Sequence, residues 1–278
     1  MDLLDSQTVC AAAPSRSSRE LDQFFTRADI AERCAGIAIE EALKRHSNFY
    51  WVEPSAGAGA FLRNLPRPRF GIDIAPKDAE VAAGDFLTWS PARHVGRIAV
   101  VGNPPFGKNA SLAVRFFNKA ATFADLIAMV VPKTFQKAST HRKLDPHMRL
   151  AREVEIERDA FVFDGGTYDV PTSFQVWVRD ATARSLARGP TTHPDFEFTL
   201  SASAHFAFQR VGARAGLVST EGLLKSPQSH YFMRAKSKTV DVRAVLSRID
   251  WEPIKCRTAG NPSIGKGELV AAYAEALR

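Results

Sequence analysis

Four stretches of this sequence place acidic, amide or very small residues directly after an apolar run. They are Glu53 with the turn Ser55-Ala56-Gly57-Ala58-Gly59, then Asp73, Asp85 with Phe86, and Asn103 with Pro104-Pro105-Phe106. The small residues at 55–59 allow a backbone turn to approach a ligand closely. Asp73 lies 20 residues after Glu53, where a carboxylate can accept both hydroxyls of a ribose. Together these features predict a nucleoside site.

The nucleoside need not carry a pyrophosphate. Neither G-x-x-x-x-G-K-[ST] nor G-x-G-x-x-G occurs in the sequence, and only Gly57-Ala58-Gly59 remains of such a loop. The double proline after "RIAVVGN" ends a strand abruptly, because proline donates no backbone hydrogen bond and restricts the residue before it. By itself, a double proline favours the simpler interpretation of a rigid turn.

Composition indicates a globular protein without a membrane span. With 278 residues, 45% of them hydrophobic, the chain is long enough for a main domain and a smaller companion. No apolar run approaches the roughly 20 residues of a membrane helix, and the N-terminus lacks a signal-peptide pattern. Cys10, Cys34 and Cys256 stand in no metal-ligand spacing. We therefore expect a cytoplasmic protein in a reducing compartment, with no metal site.

Elements that would position these residues alternate along the chain. Strands are predicted in "FYWVE", "RFGIDI", "RIAVV" and "DLIAMVV", and a short element or a turn in "VAAGDFLTW". Helices are predicted in "RADIAERCAGIAIEEALKRH", from Gly59 or Ala60 onwards, and in "SLAVRFFNKAATFA". This order predicts an α/β fold: a Rossmann-like, doubly wound, mostly parallel sheet with a closing β-hairpin around Gly165-Gly166. Ligands of such sheets bind at the carboxyl ends of the strands, where the four stretches lie.

The predicted domains differ in charge. Residues 1–18 are expected to be a disordered tail and 19–185 the main domain. Residues 190–278 are expected to be a smaller basic α+β module for target recognition, with a stabilising appendage as the alternative. From residue 181 onwards there are 14 Lys+Arg and 8 Asp+Glu, a balance of +6, against 23 and 22, or +1, before it. A basic module suits a partner that carries phosphates, such as nucleic acid, although it also suits a merely soluble surface.

A family resemblance rests on the stretches "EPSAGAGAF", "GIDI", "GDFL" and "NPPF", in that order. They closely resemble the S-adenosylmethionine-dependent amino-methyltransferases, above all the N6-adenine methyltransferases that act on nucleic acid. Upstream, "LDQFFTRADIAERC" is similar to their N-terminal cofactor motif, although Arg27 stands where the family commonly has proline. The motif order resembles the γ arrangement of DNA adenine methyltransferases, over about residues 20 to 180, so the main domain at 19–185 is expected to be a methyltransferase domain.

The resemblance implies a role for each matching residue and S-adenosylmethionine as the cofactor. The implied cofactor contacts are Phe24, Phe25 and Thr26 at its methionine end, Glu53 with Ser55, Ala56, Gly57 and Gly59 around its amino-acid moiety, Asp73 at the ribose, and Ile74, Asp85 and Phe86 at the adenine. The catalytic motif would be Asn103, Pro104, Pro105 and Phe106. Its last residue is Phe rather than the more frequent Tyr or Trp, a variant that still stacks.

The implied chemistry explains why a strand should end in this motif. An aromatic exocyclic amine is a poor nucleophile, because its lone pair is delocalised into the ring. The side-chain oxygen of Asn103 and the carbonyl of Pro104 would each accept one N–H and aim the lone pair at the cofactor's methyl group. Phe106 would stack on the target base, which in a duplex has to be flipped out.

Residues that would hold the nucleic acid are predicted from charge and position. Lys108, Lys133 and Lys137 are candidate contacts, the last two within the acid-free run "KTFQKASTHRK". Phe163 and Tyr168, in the predicted hairpin, are candidates for a second aromatic residue beside the flipped base. Core packing is the alternative for both aromatic residues, and a solvated loop is the alternative for the basic run.

Four functions stay open at this point. The first is N6-adenine methylation of DNA, and the second is the same reaction on RNA, because the motif does not identify the sugar. The third is methylation of a protein glutamine amide, which similar Asn-Pro-Pro motifs perform. The fourth is a non-catalytic nucleic-acid-binding protein that kept a methyltransferase fold.

Overall fold

The computed structural model describes residues 25–92, 96–157, 159–163, 166–168, 170–186, 189–258 and 260–278; the predicted tail at 1–18 lies outside these ranges. These residues form two compact units. One takes in the chain up to Phe135 together with Ser139–Ser185, and the other Gln136–Ala138 with Leu186–Arg278. No helix within the described ranges is long and apolar enough to cross a membrane.

The first unit contains ten strands and three α-helices among its described residues. In chain order they are β1 (Phe25–Thr26), α1 (Ala28–Leu43), β2 (Tyr50–Pro54), β3 (Arg69–Asp73), β4 (Val81–Ala83), β5 (Ile98–Gly102), α2 (Ser111–Ala121), β6 (Leu126–Pro132), α3 (Ala138–His141), β7 (Met148–Glu155), β8 (Phe161–Phe163), β9 (Gly166–Tyr168) and β10 (Thr172–Arg179). This unit ends at Ser185. The first residue of α3, Ala138, is counted with the second unit, and the rest of α3 belongs to the first.

A seven-stranded sheet forms the centre of this unit, in the order β4-β3-β2-β5-β6-β10-β7. The first five strands are parallel, and β10 runs antiparallel to β6 and β7. The prediction of a doubly wound, mostly parallel sheet is therefore confirmed. From β2 the chain adds β3 and β4 on one side of the sheet, and it then returns to the other side of β2 with β5 and β6. The strand order therefore reverses between β2 and β5. Ligands of open α/β sheets bind at this switch point, beyond the carboxyl ends of the strands.

Both faces of the sheet are covered, because neighbouring residues of a strand point to opposite sides. Trp51 of β2 packs into a buried cluster with Ile30 and Cys34 of α1. Val52, the next residue, lies in the opposite cluster with Phe117 of α2. Burial on both faces explains why the parallel strands read as continuous apolar runs.

One predicted helix is wrong. From Gly59 onwards the chain forms turns and a single 3-10 turn, Leu62–Asn64. Pro66 and Pro68 follow closely, and proline removes the helical hydrogen bond and disfavours helical geometry in the residue before it. The segment therefore ends before it completes an α-helix.

The strands that close the sheet are β7 and β10. The sequence reasoning did not identify β7, although its burial alternates along the strand as expected for a strand with one covered face. The segments around Gly165-Gly166 pair as β8 and β9, and β1 pairs with β8, which makes a separate three-stranded sheet. Residues 164 and 165, at the turn itself, lie outside the described ranges.

The second unit is a small α+β structure. Its elements are β11 (Phe196–Thr199), β12 (Phe206–Gln209), β13 (Val218–Ser219), β14 (His230–Ala235), α4 (Val242–Arg248), α5 (Glu252–Lys255) and α6 (Lys266–Ala276). The strands form an antiparallel sheet in the order β11-β14-β12-β13. Phe208, Trp251 and Tyr273 belong to one buried cluster, which gives this unit its own hydrophobic core.

Candidate active site

Glu53, near the end of β2, has an almost fully buried carboxylate, with only 2% of the residue exposed. Its two oxygens accept backbone N–H groups from Leu62 at 2.6 Å and from Phe61 at 3.3 Å. Burial raises the pKa of this carboxyl to about 8, and the two N–H donors oppose that rise. Glu53 thus fixes the segment that follows the glycine-containing turn and is a poor candidate for direct contact with solvent.

The turn after β2 depends on unusual backbone conformations. Ser55, Gly57 and Gly59 all have positive φ angles, of 51°, 51° and 72°. A Cβ atom at Gly57 would lie 2.9 Å from the Phe25 ring, so a larger residue there would displace that ring. Glycine at this position therefore satisfies both the backbone conformation and the close approach.

Asp73, the last residue of β3, is tied directly to this turn. One carboxylate oxygen accepts the Gly57 N–H at 2.8 Å, and the other accepts the Ala75 N–H at 2.7 Å. Each carboxylate oxygen can accept more than one hydrogen bond, so both retain capacity for a ligand hydroxyl. Ile74 follows with 48% of its surface exposed, which places an uncovered apolar side chain next in the chain to the carboxylate.

The predicted adenine contacts Asp85 and Phe86 lie in different environments. Asp85 is exposed, and its carboxylate accepts the Leu87 N–H at 2.8 Å. Phe86 is buried and stacks on Phe116 at a ring-centroid distance of 5.4 Å. The Phe86 ring is thus part of the core between the sheet and α2, whereas the Asp85 carboxylate is accessible.

The motif Asn103 to Phe106 begins directly after β5, on the far side of the switch point from Glu53. The Ser55 hydroxyl lies 2.6 Å from the Pro54 carbonyl oxygen and 3.3 Å from the Asn103 carbonyl oxygen. Asn103 and Phe106 are half-buried. The structure therefore joins the turn after β2 to the first residue of the motif after β5.

Phe106 also anchors the helix that follows. Its carbonyl oxygen accepts the N–H groups of Leu112 at 3.1 Å and Ala113 at 3.2 Å, at the start of α2. The Phe106 ring packs partly buried against both core clusters. This fixes the end of the motif to the body of the unit.

The upstream motif reaches the same turn through β1. Phe25 packs against Gly57, and the Lys77 ammonium lies 4.3 Å from the centre of the Phe25 ring. The buried Thr26 hydroxyl has no hydrogen-bond partner among the described residues. Lys77 was not identified from the sequence, because a single lysine in an irregular loop offers no pattern that would have marked it. Phe24 lies outside the described ranges.

Arg27 occupies the position at which the resembled cofactor motif commonly has proline. Its backbone N–H donates to the Ala160 carbonyl at 3.0 Å, a bond that proline cannot make. Its guanidinium group pairs with Asp29 at 2.6 Å. Arg27 thus helps to hold the chain just ahead of β8 against the start of α1.

The lysines proposed to contact the substrate are not equivalent. Lys108 is exposed, whereas Lys133 forms an ion pair with Glu155 at 2.8 Å. Lys137 is counted with the second unit, where its amine donates to the Ser263 carbonyl at 3.0 Å and lies 3.7 Å from Glu268. Burial lowers the pKa of Lys137. Among the three, Lys108 is the one whose environment leaves its charge most accessible.

The two aromatic candidates beside the base lie in β8 and β9. Phe163 pairs with Gly166, and Tyr168 pairs with Phe161, across an antiparallel register. The side chains of Phe163 and Tyr168 fall outside what the structure describes. Their role stays a prediction.

Comparisons with known proteins give structural likeness only. No protein-family model and no curated protein matches the sequence. Among solved structures, a protein from Pyrococcus horikoshii, provisionally assigned as an RNA methyltransferase, matches with a TM-score of 0.44 and 15% identity over 59% of this chain and 90% of that one. Magnesium protoporphyrin IX methyltransferase from Synechocystis, with bound SAM, gives 0.40 and 12% over 55% and 79%. An N-methyltransferase from Bradyrhizobium japonicum gives 0.38 and 12% over 54% and 97%. Identities this low carry no information about substrate.

Proposed function

We propose that this protein transfers a methyl group from S-adenosylmethionine to the exocyclic N6 amine of adenine in DNA. The observation that carries the proposal is the junction of two motifs at the switch point of the sheet. The turn that Asp73 holds, after β2, is within hydrogen-bonding distance of the first residue of Asn103-Pro104-Pro105-Phe106, through the Ser55 hydroxyl. The proposed nucleoside site at this turn and the two proposed acceptors for an amine, at Asn103 and Pro104, therefore lie at the same edge of the sheet.

The residues present suit the proposed cofactor. Asp73 has carboxylate lone pairs left for ribose hydroxyls, and Ile74 offers an exposed apolar surface for an adenine ring. The buried Thr26 hydroxyl, without a partner among the described residues, suits the polar methionine end. When bound, S-adenosylmethionine supplies an electrophilic methyl group on a sulfonium centre.

The chain's own contribution is alignment. The Asn103 side-chain oxygen and the Pro104 carbonyl oxygen each accept a hydrogen bond from one N–H of the amine. These two hydrogen bonds direct the nitrogen lone pair towards the cofactor's methyl group. Positive charge that develops on the nitrogen is stabilised by these fixed dipoles, and the proton that the nitrogen then loses passes to solvent. Pro104 and Pro105 restrict the backbone, so the acceptors need little reorganisation during the reaction. Positioning of this kind supplies a large part of the rate enhancement.

The substrate assignment rests on charge and on the shape of the motif. Phe106 offers a half-buried ring on which a flipped base stacks, a contact worth roughly 1–3 kcal/mol per base. Residues 181–278 carry a balance of +6, which favours a polyanion over a protein substrate. DNA is the polymer that the γ-like motif order favours.

The experiment is to incubate the protein with radiolabelled S-adenosylmethionine and, separately, duplex DNA, RNA or a protein extract. The labelled polymer is digested and the modified unit identified. We expect N6-methyladenine in DNA, and the Asn103→Ala variant should incorporate label about 10²–10³ times more slowly. Label confined to RNA, or to glutamine in protein, would overturn the DNA assignment. No label in any polymer, together with no cofactor binding by calorimetry, would favour a non-catalytic protein.

A further inference from the structure

The second unit contains a cavity to which the proposed methyl transfer assigns no role. Its volume is about 400 Å³, within the range of small-ligand sites. The cavity is lined by Thr191, Thr192, His193, Phe196, Glu197, Phe198, Lys236 and Lys266. These residues come from the segment before β11, from β11 itself, from the end of β14 and from the start of α6, so the unit's own fold assembles the cavity.

The charge of the cavity is positive. Lys236 and Lys266 are both exposed, and neither forms an ion pair among the described residues. Glu197 is the one carboxylate of the lining, and it accepts a hydrogen bond from Arg234 Nε at 2.6 Å across the β11–β14 pair. Its charge is therefore balanced outside the lining, which leaves two lysine charges to attract an anion.

Glu268, near Lys266 in α6, is engaged elsewhere. Its carboxylate accepts the Gly265 N–H at 2.7 Å and lies 3.7 Å from the Lys137 ammonium. Asp195, next to the lining, accepts the Tyr273 hydroxyl at 3.0 Å. Neither acid is paired with Lys236 or Lys266.

The cavity also has an aromatic wall. The Phe198 ring is half-buried, and the Lys266 ammonium lies 4.6 Å from its centre. His193 stacks on Phe196 at 5.5 Å between ring centres, and meets the edge of Tyr273 at 4.8 Å. The rings thus support one another, and the Lys266 ammonium lies over the face of the Phe198 ring. The lysines suit an anionic group and the aromatic ring suits a flat apolar one. A nucleotide combines both, as its phosphate and its base.

We propose that this cavity binds one nucleotide of a nucleic-acid strand. Lys236 and Lys266 pair with the phosphate, and the exposed hydroxyls of Thr191 and Thr192 donate to its oxygens. As the exposed Lys266 side chain turns to the phosphate, it leaves the face of the Phe198 ring, on which the base then stacks. Stacking on an aromatic ring accepts every base, so this contact adds affinity with little sequence preference. The inference concerns a second site and does not rest on the proposed methyl transfer.

The test is fluorescence anisotropy of the full chain with a labelled oligothymidylate, without cofactor. This strand contains no adenine, so the proposed active site has no target in it. Lys236→Gln combined with Lys266→Gln is compared with Lys225→Gln combined with Lys238→Gln, two exposed lysines of the same unit outside the cavity. We expect the first pair to lower the slope of log affinity against log salt by about 0.7, the value for one phosphate contact on a single strand. We expect the control pair to change it much less.

Phe198→Leu tests the aromatic contact. Affinity for oligothymidylate should fall by at least about fivefold, whereas affinity for an abasic strand of equal length should stay unchanged. Thermal melting by circular dichroism checks that each variant is folded. Equal salt slopes for the two lysine pairs, or an unchanged affinity in folded Phe198→Leu, would overturn the inference. Because the binding assay contains neither cofactor nor adenine, its result does not depend on methyl transfer, so failure of methyl transfer and failure of this site give different results.

Discussion

Replacement of Glu53 by glutamine should remove part of the pH dependence of the free energy of unfolding. Burial raises the pKa of this carboxyl from 4.5 to about 8 in the folded protein. Between these values the native state holds a proton that the unfolded state has released. The stabilisation is therefore fully present below pH 4.5 and is lost as the pH rises towards 8. Glu53→Gln cannot titrate and should lack this loss.

The size of the effect follows from the two pKa values. One pKa unit corresponds to about 1.4 kcal/mol, so the loss from about pH 5 to about pH 7.5 integrates to roughly 3 kcal/mol. The amide of glutamine retains an oxygen for the Leu62 N–H, and it presents an NH2 group to the more distant Phe61 N–H. That mismatch costs about 1 kcal/mol at every pH and cancels from the comparison.

The assay is urea unfolding of both proteins at the two pH values, followed by tryptophan fluorescence. Three of the four tryptophans, Trp51, Trp89 and Trp177, belong to the first unit, so the signal reports mainly on the unit that contains Glu53. The free-energy difference between variant and wild type should shift by roughly 3 kcal/mol in favour of the variant at the higher pH.

Glu41 supplies a matched control. It is also buried, but hydrogen bonding to Lys44 lowers the pKa of its carboxyl. Its stabilisation is present above pH 4.5 and is lost only below it, so Glu41→Gln should destabilise by the same amount at both pH values. A pH-independent difference for Glu53→Gln as well would show that Glu53 is ionised in the folded protein, held by its two N–H donors, and would refute the reasoning.

Three further substitutions test the site and the second unit. Asn103→Ala should leave cofactor affinity within about twofold while lowering turnover by about 10²–10³-fold, as expected for the loss of one preorganised polar group. Calorimetry measures the affinity and single-turnover kinetics the rate, and near-normal turnover would contradict the role of Asn103. Asp73→Ala removes the acceptor of the Gly57 N–H and the proposed ribose contact, so cofactor affinity should fall more than about tenfold before the rate of the bound complex changes. Unchanged affinity in calorimetry would argue against a ribose contact. Gly216→Ala places a Cβ atom 2.6 Å from the Trp251 ring at a φ of 106°, and should lower the unfolding free energy of the second unit by about 2–4 kcal/mol; denaturation curves that match wild type would exclude this packing.

The parallel core of the fold was predictable because its signal is local. Each of the five parallel strands is an apolar run bounded by turn residues. Glu53, Asp73 and Asn103 lie at or just after the carboxyl ends of three of these strands, so the rule for doubly wound sheets assigns them to one edge of the sheet. The candidate site residues at 53, 73 and 103 could be selected from the sequence for the same reason.

The remaining differences depend on long-range contacts. The pairing of β1 with β8 has no local signal, since two residues, Phe25 and Thr26, form the whole of β1. The burial of Phe86 depends on Phe116 of α2, thirty positions later in the sequence. By contrast, the missing helix after Gly59 was predictable from Pro66 and Pro68, and the burial alternation of β7 matches a pattern present in its sequence.

The pairing of Phe25 with Val162 has a consequence for synthesis of the protein. Phe25 covers the turn at Gly57, yet the strand that holds it in place belongs to the last quarter of the first unit. A nascent chain that has emerged only as far as β6 contains Glu53, Asp73 and Asn103 but lacks the partner of β1. Cofactor affinity should therefore arise late during translation, once β8 has left the ribosome, and chains arrested before that point should fail to retain the cofactor.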